Sequence, residues 1–374
     1  MDMASETSCL QKIGVIVPGA FIPPTDGGQR VCFDLCLALA KRIQVICFSV
    51  HPQGSLPELE LVPLLYRSRL KYVDISLIWP LVRQIRKHKL RFCIVNQPFF
   101  FFIAFLASKI CGCKLITYAH NLEFQRSDGA RLYLRPFIFF VELLAFRLSH
   151  RIFFISQEEL DDARQLFRLP DSKCILVPHI AHKAHRVIKH EERVGQPFTI
   201  IFFGNFSYPP NLNALNNLLE FFVPAFVRLL TFDCRILIFG KSIPETFKNG
   251  AVGNNLSIEF VGYVKNPLDQ LRNADVMINP VDEGSGVQTK IIEALAAGTT
   301  VVSARSGARG IHQRLAPEKL LLVEDGDWAG FAKKVCDLHA SGKTNLPTPV
   351  SFFSEYAERT ITDRIVSSLT SDDR

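Results

Sequence analysis

One lysine and one glutamate, Lys290 and Glu293, stand three residues apart in an Ala-rich run behind a Gly-Ser-Gly loop. In a helix that spacing puts both side chains on one face, a turn apart. The stretch GSGVQTKIIEALAAG, Gly284 to Gly298, reads as a loop after the strand VMINP, followed by a helix VQTKIIEALAAG that Gly298 ends in the left-handed conformation. Gly284 and Gly286 let the backbone approach a ligand closely, and Ser285 can cap the helix or donate to an oxygen. The free amides and the dipole of a helix start favour an anion, most often phosphate. Lys290 adds a positive charge there. Glu293 would repel phosphate but suits sugar hydroxyls, and phosphate beside a polyol is the chemistry of a nucleotide sugar. A capped packing helix with a surface Lys-Glu pair accounts for the same residues, and both readings stand.

The N-terminal half offers a second phosphate candidate. PPTDGGQR, Pro23 to Arg30, joins the first strand to the first helix, and Gly27 and Gly28 can present backbone amides to a diphosphate. The plainer reading is a turn. His120 follows the strand KLITYA, a position that faces a ligand crevice in parallel sheets. Other matches fail. FGKS, Phe239 to Ser242, looks like the end of a phosphate loop, but Arg235 stands where that loop needs glycine. The first strand is not followed by Gly-x-Gly-x-x-Gly, and no Gly-x-Ser-x-Gly nucleophile motif occurs. HIAHKAH, His179 to His185, spaces histidines by three, but beside Lys and Arg in a linker it reads poorly as a metal site.

The elements that must position these residues alternate short apolar runs with amphipathic stretches, the pattern of parallel sheets with crossover helices. IGVIVPG, QVICFSV, RFCIVNQ, KLITYAH, RIFFIS and KCILVPH are strands, with a helix over VCFDLCLALAKR and others starting near Pro98 and Leu132. After the polar stretch Ile180 to Gln196 a second series begins: FTIIFFGN, RILIFG, LSIEFVG, VMINP, TTVVSA and KLLLVED. Helices there cover NLNALNNLLEFFVPAFVRLL and DWAGFAKKVCDLHA, and one last helix covers SFFSEYAERTITDRIVSSL. A chain of 374 residues suits two such domains. The expected organisation is an N-terminal domain over 1–190, a C-terminal domain over 191–350 and a C-terminal helix over 351–374 packing back on the first. Two doubly wound α/β domains facing a cleft is the simplest architecture.

Ten cysteines sit mostly in apolar runs without a Cys-x-x-Cys pair, which reads as buried reduced thiols and a reducing, cytoplasmic setting. The polar start MDMASETSCLQK is unlike a signal peptide, and the apolar run Pro98 to Gly112, interrupted by Lys109, falls short of the ~20 residues that span a bilayer. The net charge is +7, unevenly spread: eight Lys or Arg between Arg67 and Arg91 face Asp74 alone, with Tyr66, Tyr72 and Trp79 among them. Such a segment suits an anionic membrane surface, and equally a solvated helix face whose long basic stems cover apolar neighbours. No nucleic-acid-binding motif accompanies the charge.

The run NPVDEGSGVQTKIIEALAAGTTVVSARSGARGI, Asn279 to Ile311, resembles the donor-binding signature of glycosyltransferase family 4, the retaining enzymes with two Rossmann-like domains known as the GT-B fold. FFGNFSYPPNLNAL and FVGYVKNPLDQLRNADVMINP resemble neighbouring segments of one branch with a GSG-type donor loop. The Gly-Gly loop, HNLE, FISQEELD and LVPHI fall in family order in the first half. The resemblance implies sugar transfer from a nucleoside-diphosphate donor to an acceptor hydroxyl, with retention, for glycan or glycolipid synthesis. It implies a glycan or lipid-linked acceptor, no cofactor and no metal. Glu293 matches the acid that holds the donor ribose. Lys290 and the amides of Ser285, Gly286 and Val287 would lie near the diphosphate, as would Gly27 and Gly28. His120 matches a histidine near the transferred sugar, and Tyr263 and Val264 fall where the base is read. The sequence departs from the pattern twice. Ser285 stands where the family's full motif has a first acid, and Asn205 with Pro209, Pro210 and Asn211 replaces the usual Arg and Lys of the second domain's opening loop. Those departures motivate an alternative, a degenerate relative that binds nucleotide sugar or a partner without transfer.

Overall fold

The computed structural model describes residues 11–51, 54, 56–125, 133–182, 195–247, 250–284 and 286–370. The chain forms two compact units, one of residues 1–180 with 358–374 and one of residues 181–357. The boundary expected at 190 lies outside the described residues.

The first unit holds seven strands: β1 (Lys12–Val17), β2 (Gln44–Val50), β3 (Glu60–Leu65), β4 (Phe92–Asn96), β5 (Lys114–Ala119), β6 (Arg151–Phe154) and β7 (Cys174–Leu176). Their order is β3-β2-β1-β4-β5-β6-β7, every pair parallel. Helices α1 (Gly27–Ala40), α2 (Ile78–His88), α3 (Phe101–Cys111), α4 (Arg135–Leu148) and α5 (Gln157–Phe167) connect them. With helices on its faces, a central strand such as β4 is buried at every residue, so it reads as one apolar run. β3 escapes sequence reading because ELVPLL is half exposed and holds Pro63, which an edge strand tolerates. α1 begins at Gly27 rather than Val31, because the Asp26 carboxylate accepts the Gln29 amide at 2.9 Å and caps the helix early. Every cysteine among the described residues is a free thiol.

The second unit repeats the plan with β8 (Phe198–Asn205), β9 (Cys234–Lys241), β10 (Gly250–Ala251), β11 (Leu256–Gly262), β12 (Val276–Asn279), β13 (Thr300–Ala304) and β14 (Leu320–Val323). The order is β10-β11-β9-β8-β12-β13-β14, with the short edge strand β10 antiparallel. Its helices are α6 (Pro209–Asn217), α7 (Val223–Val227), α8 (Leu268–Asn273), α9 (Thr289–Ala296), α10 (Trp328–Ser341) and α11 (Val350–Tyr356). The period of two sorts the strands between two cores. Ile200, Phe202, Val276 and Ile278 join one, while Ile201 and Met277 join the other, with Ile291, Ile292 and Leu295 of α9. The long helix expected before β9 is divided: a π-helical turn, Leu218–Phe222, separates α6 from α7. Pro224 lacks the amide an α-helix needs there, and the wider turn absorbs its ring.

The single C-terminal helix expected over 351–374 is two. α12 (Glu358–Thr370) belongs to the first unit, and Ala357 between α11 and α12 is extended. The Ala181 amide donates to the Tyr356 carbonyl at 2.8 Å, which draws the backbone out of helical form. α12 is fastened within its unit by Lys41 to Glu358 at 2.6 Å, by Arg42 to Thr362 at 3.1 Å and Asp363, and by Arg364 to the Leu176 carbonyl at 2.9 Å.

Candidate active site

In the second unit β8 pairs with β12, and strand order reverses direction between them. Ligands in doubly wound sheets bind beyond the carboxyl ends of strands at such a point. β8 delivers Phe203, Gly204 and Asn205 there, and β12 delivers the loop before α9. Lys290 is 7% exposed. Its Nζ donates to Asn211 Oδ1 at 3.2 Å, lies 3.5 Å from the Phe203 carbonyl and 5.0 Å from the Phe202 ring centroid. Burial pushes its pKa down to about 7. No carboxylate pairs with it among the described residues. A buried ammonium served only by neutral dipoles is costly, and an anion in contact would offset that cost.

The two loops interlock. Gly284 has φ +96°, and a Cβ there would come within 2.9 Å of Tyr208 Oη and 3.5 Å of Pro210. Asn213 Nδ2 donates to Glu283 at 3.0 Å. Asn205, a candidate for touching the donor, also shapes its own turn. Its Oδ1 accepts from the Ser207 amide at 3.1 Å and hydroxyl at 2.8 Å, and its carbonyl accepts from Asn211 Nδ2 at 3.0 Å. α9 starts at Thr289 after Gln288, not at Val287. Gly286, at φ +85°, and Val287 are therefore loop residues, and the first-turn amides belong to Thr289 and Lys290. Ser285 lies outside the described residues. Glu293 is half-buried one turn along α9 from Lys290. Tyr263, 58% exposed, follows β11 with the Lys241 ammonium 5.2 Å from its ring, and Val264 packs on the α9 core.

In the first unit Gly27 and Gly28 form the first turn of α1, not a separate turn. Neither has positive φ, and a Cβ on Gly28 would meet only Asp26 Oδ1, at 3.5 Å. Neither backbone nor packing demands glycine at 28. Asp26 brings a carboxylate to the same helix start, a charge opposed to a diphosphate. His120 follows β5 and is 5% exposed. Its Nε2 lies 3.2 Å from Asn96 Oδ1, whose Nδ2 donates to the Ile16 carbonyl at 3.3 Å. Nε2 therefore carries the proton, and Nδ1 is left without a partner. Burial, and then nearby His179, push its pKa down to about 4, so the ring is neutral. It can accept a hydroxyl proton through Nδ1 but cannot serve as a cation at neutral pH. Glu142, buried, holds the loop after His120 by accepting the amides of Glu123 at 2.7 Å and Phe124 at 3.1 Å. In the histidine run, His179 packs 3.8 Å from Asp34, and His185 lies outside the described residues.

Residues 25–181 match the family described as Glycosyltransferase Family 4, and residues 197–341 match that described as Glycosyl transferases group 1. The chain belongs to the family 4 glycosyltransferases. Solved structures share the fold of this family 4 protein, two Rossmann-like domains of the GT-B type. A sucrose-phosphate synthase from Thermosynechococcus elongatus superposes with a TM-score of 0.73 at 14% identity, over 97% of this chain and 99% of that one. A glycosyltransferase from Rickettsia africae gives 0.70 at 12%, over 97% and 98%. Anabaena HepE in complex with UDP and glucose gives 0.69 at 14%, over 96% and 100%. No curated protein matches at the sequence level. Among the glycosyltransferase's site residues, sequence reasoning missed Asn211 and Tyr208 as partners of the α9 loop, and Asn96 and Glu142 behind His120. An amide or a tyrosine gives no signal of its own until the sheet brings the loops together.

Proposed function

We propose that this glycosyltransferase moves a sugar from a nucleoside diphosphate to an acceptor hydroxyl, with retention, in glycan or glycolipid assembly. The observation that carries the reading is Lys290: a buried ammonium with no carboxylate partner among the described residues, at the strand-order reversal, beside the Gly284–Gly286 loop. As the bond from the anomeric carbon to the diphosphate breaks, negative charge grows on the leaving oxygen. Lys290 and the amides of Gly286 and Val287 stabilise that charge, a task that falls to protein groups rather than to a metal ion. Glu293 accepts from the ribose hydroxyls, and Tyr263 and Val264 flank the base; in the first unit, His120 Nδ1 offers an acceptor to a hydroxyl. The acceptor attacks on the face the diphosphate leaves, and its proton passes to the departing oxygen. A nucleotide-sugar donor is supported by the UDP-glucose complex of HepE. A panel of UDP- and GDP-sugars with varied acceptors tests the reading. Glu293→Ala should lower donor affinity or turnover by at least ~10-fold, about 1.4 kcal/mol. Donor binding without transfer or hydrolysis would replace the enzyme with a binding protein.

Contact with an anionic membrane, at the cytoplasmic face, is part of the proposal. No helix among the described residues is long and apolar enough to cross a bilayer. Leu70, Val73, Ile75 and Trp79 are nonetheless strongly exposed, Trp79 at 68%, and α2 ends in Arg86, Lys87 and His88. Apolar anchors among basic residues suit an interface. Replacing Arg83, Arg86, Lys87 and Lys89 by glutamine should reduce sedimentation with phosphatidylglycerol vesicles at least ~10-fold. Unchanged sedimentation would defeat this part.

A further inference from the structure

Past the carboxyl ends of β1, β2 and β3 lies a cavity of about 330 Å³ lined by Gly19, Thr25, Gln29, Val50, Arg67 and Lys71, among others. The volume is within the range of small-molecule sites. Lys71 is 5% exposed, yet among the described residues it has no ion pair and no side-chain hydrogen bond. Its ammonium lies 5.1 Å from the Tyr72 ring, an interaction far weaker than a carboxylate would give. Burial lowers its pKa. The one acid of the segment is engaged elsewhere: Asp74 accepts from Tyr66 at 2.8 Å and from the Ser76 hydroxyl at 2.6 Å. Gln29 Oε1 is likewise taken, by the Thr25 amide at 2.8 Å and hydroxyl at 3.0 Å. A lysine that is largely buried and an exposed arginine thus open on one cavity, with no ion pair to an acid among the described residues.

We infer that this cavity is the anionic end of the acceptor site, with Lys71 and Arg67 holding a phosphate ester on the molecule that receives the sugar. The acceptor assignment rests on the sugar-transfer reading above; the anion site does not. Lysine supplies the point charge and arginine the fork that phosphate oxygens take. The segment bearing both cations also exposes Leu70, Val73, Ile75 and Trp79, so a lipid-borne phosphate and a soluble phosphate ester both fit.

Glycerol 1-phosphate titrated into the full chain at low salt, followed by calorimetry, tests the site. Wild type should bind, Lys71→Met should weaken binding at least ~10-fold, and Lys71→Arg should stay within about threefold. Arg67 is exposed, so Arg67→Ala should fold regardless and also weaken binding. Lys290→Met should leave ester binding unchanged. Wild-type affinity in Lys71→Met and Arg67→Ala, weakening in Lys290→Met instead, or no binding by wild type at millimolar ester would each overturn the inference. UDP titrated separately reports on the second unit: failure to bind UDP counts against sugar transfer while leaving the ester site standing. Vesicles of phosphatidylcholine with phosphatidic acid are compared with charge-matched phosphatidylserine vesicles. Displacement of the ester by phosphatidic acid alone assigns a lipid-borne phosphate, and displacement by neither assigns a soluble ester; both support the site.

Discussion

Lys290→Met is expected to lower turnover at least ~10-fold, about 1.4 kcal/mol in transition-state stabilisation, while the melting temperature stays level or rises. The two outcomes together separate a binding residue from a packing one. A lysine that served the fold would lower stability when lost. In this site the ammonium is buried against the Phe202 ring, the Phe203 carbonyl and Asn211, and methionine keeps the stem while removing the charge that burial disfavours. The pH dependence has a definite sign. Burial lowers the pKa from 10.5 to about 7 in the folded chain. Between those values the unfolded chain binds more protons, so wild-type stability rises with pH across that window. The advantage of Lys290→Met should therefore be largest at pH 7 and below, and should shrink toward pH 10. Thermal unfolding from pH 6 to 10 checks the sign, and donor kinetics check the activity. A variant that is less stable yet fully active would make Lys290 a structural residue and remove the main support for the donor site.

The largest loss of stability is expected from Gly240→Ala. Gly240, next to last in β9, lies beside Gly204 of β8, at φ +144°. A Cβ there would overlap the Gly204 carbonyl oxygen, and its next nearest atoms are also Gly204 backbone, at 2.9 and 3.1 Å. No side-chain rotation relieves an overlap with backbone. Strain in φ and the forced separation of two central strands add to about 3 kcal/mol or more. For a unit of this size that is a fall of about 6–12 °C. Gly253→Ala is the control, with φ +75° but nothing within 4 Å of a new Cβ. It should cost only about 1–2 kcal/mol, the left-handed penalty alone. Equal losses in the two variants would show that the close approach of β8 and β9 has no energetic weight. Because Gly204 adjoins the Phe203 carbonyl that faces Lys290, Gly240→Ala should also weaken donor binding.

Much of the fold was legible because its signals are local. Twelve apolar runs read from the sequence coincide with strands, since a parallel strand buried on both faces must be apolar almost throughout. The two strands missed, β3 and β10, are edge strands, one carrying Pro63 and the other two residues long. Helix ends were less legible. Asp26 starts α1 early, Gln288 starts α9 late, and the Ala181–Tyr356 hydrogen bond divides what reads as one terminal helix. The third depends on a backbone partner far along the chain.

The candidate site divides in the same way. Residue type and a spacing of three were enough to mark Lys290 and Glu293, because helix geometry alone sets them on one face. Nothing local foretold that Asn211, 79 residues earlier, would hold the Lys290 ammonium, or that the Tyr208 hydroxyl would close on the backbone at Gly284, whose φ of +96° favours glycine. Nor did the eight basic residues of Arg67 to Arg91 reveal that Lys71 alone is buried without an acid. Sequence determines which stretches are apolar and at what period. Which loops then meet depends on strand order, and the charge state of a buried lysine depends on the solvent and acids that meeting excludes.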